Sequence, residues 1–84
     1  MNKEDIAYII EVKHPLTNYS LKVDLNTDEF LVGIFVMTKD YDELKERNQW
    51  RFVINQKLRK WEQSNDHKLT EIIDGKYIDS ITVL

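Results

Sequence analysis

Between Tyr19 and Asn26 the chain alternates without exception: Tyr19, Leu21, Val23 and Leu25 are apolar, and Ser20, Lys22, Asp24 and Asn26 are polar. Successive side chains of a strand point to opposite faces, so this pattern specifies a half-buried strand, whereas a helix would scatter the apolar set around its circumference. The polar turn Asn26 to Glu29 follows. Phe30 to Met37 is then apolar at every position except Gly33. A run of this kind suits a central strand covered on both faces. Gly33 in its middle marks a bulge, a sharp bend, or simply a place with no side chain to pack.

Upstream, Ile6, Tyr8, Ile10 and Val12 share one face in a period of two, with Glu11 and Lys13 on the other, which predicts a strand over residues 6–13. His14-Pro15-Leu16-Thr17-Asn18 supplies turn chemistry, because Pro15 has no N–H to continue the strand. These three segments together predict an antiparallel meander of three strands.

Asp40, followed three residues later by Glu43, resembles a helix N-cap with a reciprocal capping acid and predicts a short helix through about Arg47. Trp50-Arg51-Phe52-Val53-Ile54 has the β-branched and aromatic content of a strand, yet Trp50, Val53, Ile54, Leu58 and Trp61 also fall on one helical stripe. A strand through Asn55 and a helix from Gln56 to Gln63 is the favoured division; one continuous helix is the alternative. At the C-terminal end, Leu69 to Ile73, Asp74-Gly75, and Lys76 to Leu84 predict a hairpin, since Asp-Gly fits the positive φ of a type I′ turn. In that register Ile72, Tyr77, Ile81 and Val83 share one face and Leu69, Ile73, Ile78 and Leu84 the other. Neither face is purely polar, so the hairpin is covered on both sides or paired with something outside the chain.

The fold class expected is therefore α+β and β-rich: a three-strand meander, helical insertions around residues 40–63 with a strand at 50–55, and a closing hairpin. The order of elements resembles SH3-like or Sm-like small barrels; a twisted sheet with helices on one face is the competing arrangement. At 84 residues the chain has room for one core, so residues 1–84 are expected to form one domain.

Much chemistry is argued against by what the residues lack. No cysteine is present, which excludes disulfides, thiolate metal sites and cysteine nucleophiles and fits a reducing cytoplasm. Two glycines leave no phosphate-cradling loop or dinucleotide fingerprint. His14 and His67 lie far apart, each beside turn-forming residues, and read as exposed loop histidines. Asp40, Asp42 and Glu43 lack the glycine and terminal glutamate of a calcium loop, and capping explains them better. Serines 20, 64 and 80 have no nucleophile-elbow context. A chain this short is also expected to hold no cleft of several hundred cubic ångströms unless it dimerises. The expectation is no enzymatic activity, no cofactor, no metal, and no membrane insertion, Phe30 to Met37 being too short to span a bilayer as a helix.

Charge is unevenly placed. Residues 1–43 carry a net −5, residues 44–61 a net +5 and residues 62–84 a net −3. The middle segment holds all three arginines and both tryptophans, so Arg47, Trp50, Arg51, Lys57, Arg59, Lys60 and Trp61 are the candidate binding residues. Guanidinium forks engage carboxylates or phosphates and aromatic faces stack on bases, so the mixture suits an acidic protein partner or nucleic acid. The overall net charge of −3 argues against indiscriminate nucleic-acid binding. Internal pairing of the basic segment with neighbouring acids, and tryptophans in the core, are the plainer account. The functional expectation is a small soluble interaction or regulatory accessory domain that binds a protein partner or itself; the alternative is a nucleic-acid-binding barrel or sheet using residues 44–61.

Overall fold

A computed structural model describes residues 1–13 and 20–84. The turn expected at residues 14–18 lies outside them. Helix α1 spans Lys3–Tyr8 and continues as a π-helical turn, Ile9–Lys13. Strands β1 (Leu21–Leu25) and β2 (Phe30–Phe35) follow, then helix α2 (Tyr41–Glu46), strand β3 (Gln49–Ile54), helix α3 (Asn55–Ser64) and a 3-10 turn, His67–Leu69. Strand β4 (Glu71–Asp74), a second 3-10 turn (Gly75–Tyr77) and strand β5 (Ile78–Val83) end the chain. The fold is α+β, with the five strands in one antiparallel sheet of order β4-β3-β2-β1-β5.

The strand expected over residues 6–13 is helical, and the physical reason is local. The Asn2 side chain accepts from the Asp5 N–H at 2.9 Å, and Glu4 and Asp5 stand in the first turn, where the helix dipole favours acids. Ile6 and Ile10 satisfy either a period of two or a helical spacing of four; burial of Ala7 and exposure of Tyr8 and Val12 belong only to the helix. The meander is consequently built from β1, β2, β3 and β4.

The expected C-terminal hairpin is also overturned. No glycine among the described residues has positive φ, and Asp74-Gly75 leads into a 3-10 turn instead of a type I′ turn. Asn48 is the cause. Its carbonyl accepts from Gly75 N–H at 2.7 Å, and a Cβ on Gly75 would sit 2.1 Å from the Asn48 Oδ1, so a larger residue would have to displace the Asn48 side chain. The Met1 nitrogen donates to the carbonyls of Gly75 (2.8 Å) and Ile78 (2.6 Å), and Asn26 N–H donates to the Tyr77 carbonyl at 2.9 Å. These bonds hold the turn against the body of the protein and send β5 to pair with β1. Of the expected face sets, Ile73 and Ile78 stay together in the core cluster, and Ile81 leaves the Ile72 and Tyr77 set to pack against it.

Because β4 and β5 are consecutive in sequence yet occupy opposite edges, the sheet cannot be flat. Four inter-strand spacings amount to about 19 Å, whereas the linkage from Asp74 to Ile78 reaches at most about 14 Å. The sheet therefore coils strongly, although it does not close into a barrel: β4 pairs only with β3 and β5 only with β1. Inside the curl, Val23, Trp50, Phe52, Ile73 and Ile78 meet Ile6, Ala7 and Ile10 of the first helix. Val53, which alternation places on the opposite side of β3 from Phe52, is also fully buried, so this strand is covered on both sides.

The division of residues 50–61 follows the favoured reading, with β3 passing into α3 at Ile54 and no loop between them. α3 folds back onto β2 and β3. Gly33 lies in regular register with Leu21 on one side and Ile54 on the other, so it marks a close backbone approach and not a bulge. The one register shift among these strands falls between Asp24 and Leu25. No helix among the described residues is long and apolar enough to cross a membrane.

Candidate functional site

The seven candidate residues do not assemble into one platform. Trp50 is 1% exposed, with its indole N–H donating to Asn48 Oδ1 at 2.8 Å, and cannot stack on an external ring. Arg51 is engaged within the fold: Nη2 and Nε hold the two Asp40 oxygens at 2.7 and 3.2 Å, and Nη1 donates to Thr70 Oγ1 at 2.8 Å. Lys45, a further cation of the same segment, pairs with Glu11 at 2.9 Å, and Glu11 also accepts from the Tyr41 hydroxyl at 2.5 Å. Arg47 caps the C-terminal end of α2. Lys57, Arg59, Lys60 and Trp61 lie on α3, where Trp61 is half-buried with its ring 6.4 Å from that of His67. Among the described residues Arg47, Lys57, Arg59 and Lys60 form no ion pair.

Asp40 departs from its expected capping role. It precedes α2, but its side chain makes no cap hydrogen bond and turns to Arg51 and the Thr38 hydroxyl. The Arg51 hydrogen bonds first, and then the Thr38 hydroxyl, hold its carboxyl far below the usual aspartate range. A depressed folded value means stabilisation that is present above the ordinary value of 3.8 and is lost as pH falls through the folded one. Asp40→Asn is expected to cost about 1 kcal/mol at neutral pH, between exposed and buried charge-assisted pairs. The gap between the two proteins should shrink below about pH 4. Thermal melts of both from pH 7 down to pH 2 check this; a gap independent of pH would remove the linkage.

A groove elsewhere on the protein is lined by different residues. Where the sheet fails to close, an open groove of about 490 Å³ runs between β4, the 3-10 turn at Gly75–Tyr77 and the β1–β2 turn. The expectation of no cleft this size is thus corrected; the unclosed curl provides one without a second copy. Leu25, Leu31 and Ile73 form its floor, and Ile72 and Tyr77 stand at its mouth, 49% and 46% exposed. Thr27, Glu29, Glu71 and Asp74 supply the polar rim. Asp74 also accepts from the Gln49 amide at 3.3 Å, and the Lys76 ammonium sits 5.1 Å above the Tyr77 ring at one end.

No protein-family model, no curated protein and no solved structure matches this chain.

Backbone polarity adds to the side chains. Gly75 N–H points to Asn48 on the β3 side, and alternate residues of an antiparallel strand direct their N–H and C=O to the same side. Ile72 and Asp74 consequently present theirs away from β3, toward the groove edge. Reading the sequence for charge missed this site because its residues are acidic and apolar and come from two distant segments. The C-terminal segment, expected to be covered on both sides or paired outside the chain, supplies Glu71, Ile72, Ile73, Asp74 and Tyr77 to the lining.

Proposed function

We propose that this chain is a small interaction domain without catalytic activity that docks a protein partner in the groove beside β4. The observation that carries the reading is the pair of large apolar side chains, Ile72 and Tyr77, left half-exposed over an apolar floor at an unpaired strand edge. Exposed apolar surface gathered in a concavity and rimmed by polar groups is the usual form of a recognition site. The architecture fits such a role as an opened SH3-like or Sm-like small barrel, residues 1–84 forming one domain; supporting this are the strand order and the 3-10 turn linking the two edge strands. A cysteine-free chain suits work in the reducing cytoplasm.

A second reading, nucleic-acid binding, draws support from Lys57, Arg59 and Lys60, three unpaired cations on one short helix. One experiment separates the two. The wild-type protein, Ile72→Lys and an Arg59→Glu/Lys60→Glu double variant are used as bait in extract of the producing cells, and each is titrated with short oligonucleotides. The docking reading expects specific protein capture that Ile72→Lys loses and the double variant keeps, with all three melting alike. Oligonucleotide binding that the double variant abolishes, with capture indifferent to Ile72, would transfer the function to α3.

A further inference from the structure

We infer that the groove receives an extended, basic peptide segment that adds as a further strand to the free edge of β4, its lysine or arginine side chains paired with Glu29, Glu71 and Asp74. This rests on the docking reading and specifies the chemistry of the partner. Two independent features carry it. The first is the edge itself: Ile72 and Asp74 turn their N–H and C=O groups outward over a strand of four residues, with a hydrophobic floor alongside. Such an edge is a template for strand addition, in which main-chain hydrogen bonds supply affinity and alternate side chains supply specificity. Natural sheets blunt exposed edges with short strands, charged side chains (lysine above all), proline or bulges. β4, Glu-Ile-Ile-Asp, is short and carries a carboxylate at each end, but it has no lysine, proline or bulge.

The second feature is charge. Among the described residues the groove is lined by three carboxylates and no cation, and Lys76 stands at one end over the Tyr77 ring. An acidic rim repels an acidic strand and attracts a basic one, so the carboxylates that guard the edge against most strands also select what joins it. The same sign argues against a nucleic acid at this position, because phosphates would be repelled. A second copy docking its basic helix does not suit the edge either, since the backbone groups of α3 are already bonded within the helix. An incoming segment with apolar residues at every second position would set them on Leu25, Leu31 and Ile73 and its cations on the other face, that of Ile72 and Asp74, with Glu71 on the apolar side.

The test uses the full chain and an acetylated, amidated alternating Lys-Val hexapeptide, with the Glu-Val counterpart as control. Amide shifts are followed by NMR and self-association by sedimentation. The Lys-Val peptide should saturably shift amides in residues 71–77 and 25–31 and slow hydrogen exchange at Ile72 and Asp74. Its binding should weaken roughly tenfold or more from low to high salt. Glu29→Lys combined with Glu71→Lys, both exposed and so expected to fold, should abolish the shifts. Equal shifts from both peptides would overturn the basic class while leaving docking in the groove intact. No groove shifts from either peptide, with partner capture indifferent to Ile72, would overturn both. Shifts confined to α3, or self-association that Glu71→Lys removes, would likewise overturn the basic-peptide assignment.

Discussion

Gly33→Ala is expected to cost the protein about 3 kcal/mol or more of its stability. A Cβ at this position would lie 1.9 Å from the Val53 carbonyl oxygen, 2.8 Å from its carbon and 2.9 Å from Ile54 Cα. All three are backbone atoms, so no side chain can rotate away. Gly33 is hydrogen-bonded into the middle of the sheet, opposite Leu21 on β1 and Ile54 on β3, and relieving the overlap means separating β2 from β3 at the point where the chain turns into α3. Overpacking that side chains can absorb costs about 1–3 kcal/mol, and a clash with fixed backbone belongs at or beyond the top of that range. The opposing gain, reduced freedom of the unfolded chain, is only about 0.4–1 kcal/mol. Urea denaturation followed by circular dichroism checks it. A midpoint equal to that of the wild type would mean that β2 and β3 do not approach this closely.

Trp50→Ala should be nearly as damaging, at about 3–5 kcal/mol for a large aromatic removed from a core. Trp50 is among the largest side chains that are fully buried, and it meets the edge of the Tyr41 ring at 6.0 Å, so its loss also loosens α2. Its indole N–H leaves Asn48 Oδ1 without that donor, and Asn48 in turn holds Met1 and Gly75 in place. A chain of this length has a total stability of about 4–12 kcal/mol, so the variant is expected to be largely unfolded or to melt far below the wild type. Trp61→Ala, on half-exposed α3, provides the contrast and should cost much less. Fluorescence separates the two rings: Trp50 should emit at short wavelength until unfolding. Equal destabilisation by the two alanine variants would contradict the placement of Trp50 alone in the core.

Elements whose cause lies within a few residues were legible before any coordinates. The alternation from Leu21 to Leu25 and the apolar run from Phe30 became neighbouring strands, with the turn between them reaching positive φ at Asp28. The Asp40 region started a helix, and the strand-to-helix change came at Ile54, one residue from its expected place. Where two periods fit the same residues, the reading failed. Ile6 and Ile10 are compatible with strand and helix alike, and the Asn2 cap decides between them. Asp74-Gly75 misled for another reason: a strong local turn preference yielded to Asn48, which is distant in sequence and claims both the Gly75 N–H and the space beside it.

For the candidate site the balance runs the other way. Six cations within residues 44–61 are visible to anyone counting, but covalent nearness says little about shared surface once a strand passes into a helix. Arg51 is turned toward Asp40, Lys45 toward Glu11, and the rest separate onto α2 and α3.

By itself the sequence determined a β-rich α+β protein with its central strands and its α2 start, and it favoured a strand-to-helix junction near Ile54 over one continuous helix, because periodicity and turn chemistry act over a few neighbouring residues. Only the tertiary structure decided that Asp74-Gly75 would cross between sheet edges, that the curl would remain open, and that Leu25, Leu31, Ile72 and Tyr77 would border one groove. Those outcomes depend on hydrogen bonds and steric contacts between segments some fifty residues apart, Leu25 with the β4 region and Asn26 with Tyr77 among them, which no local pattern encodes.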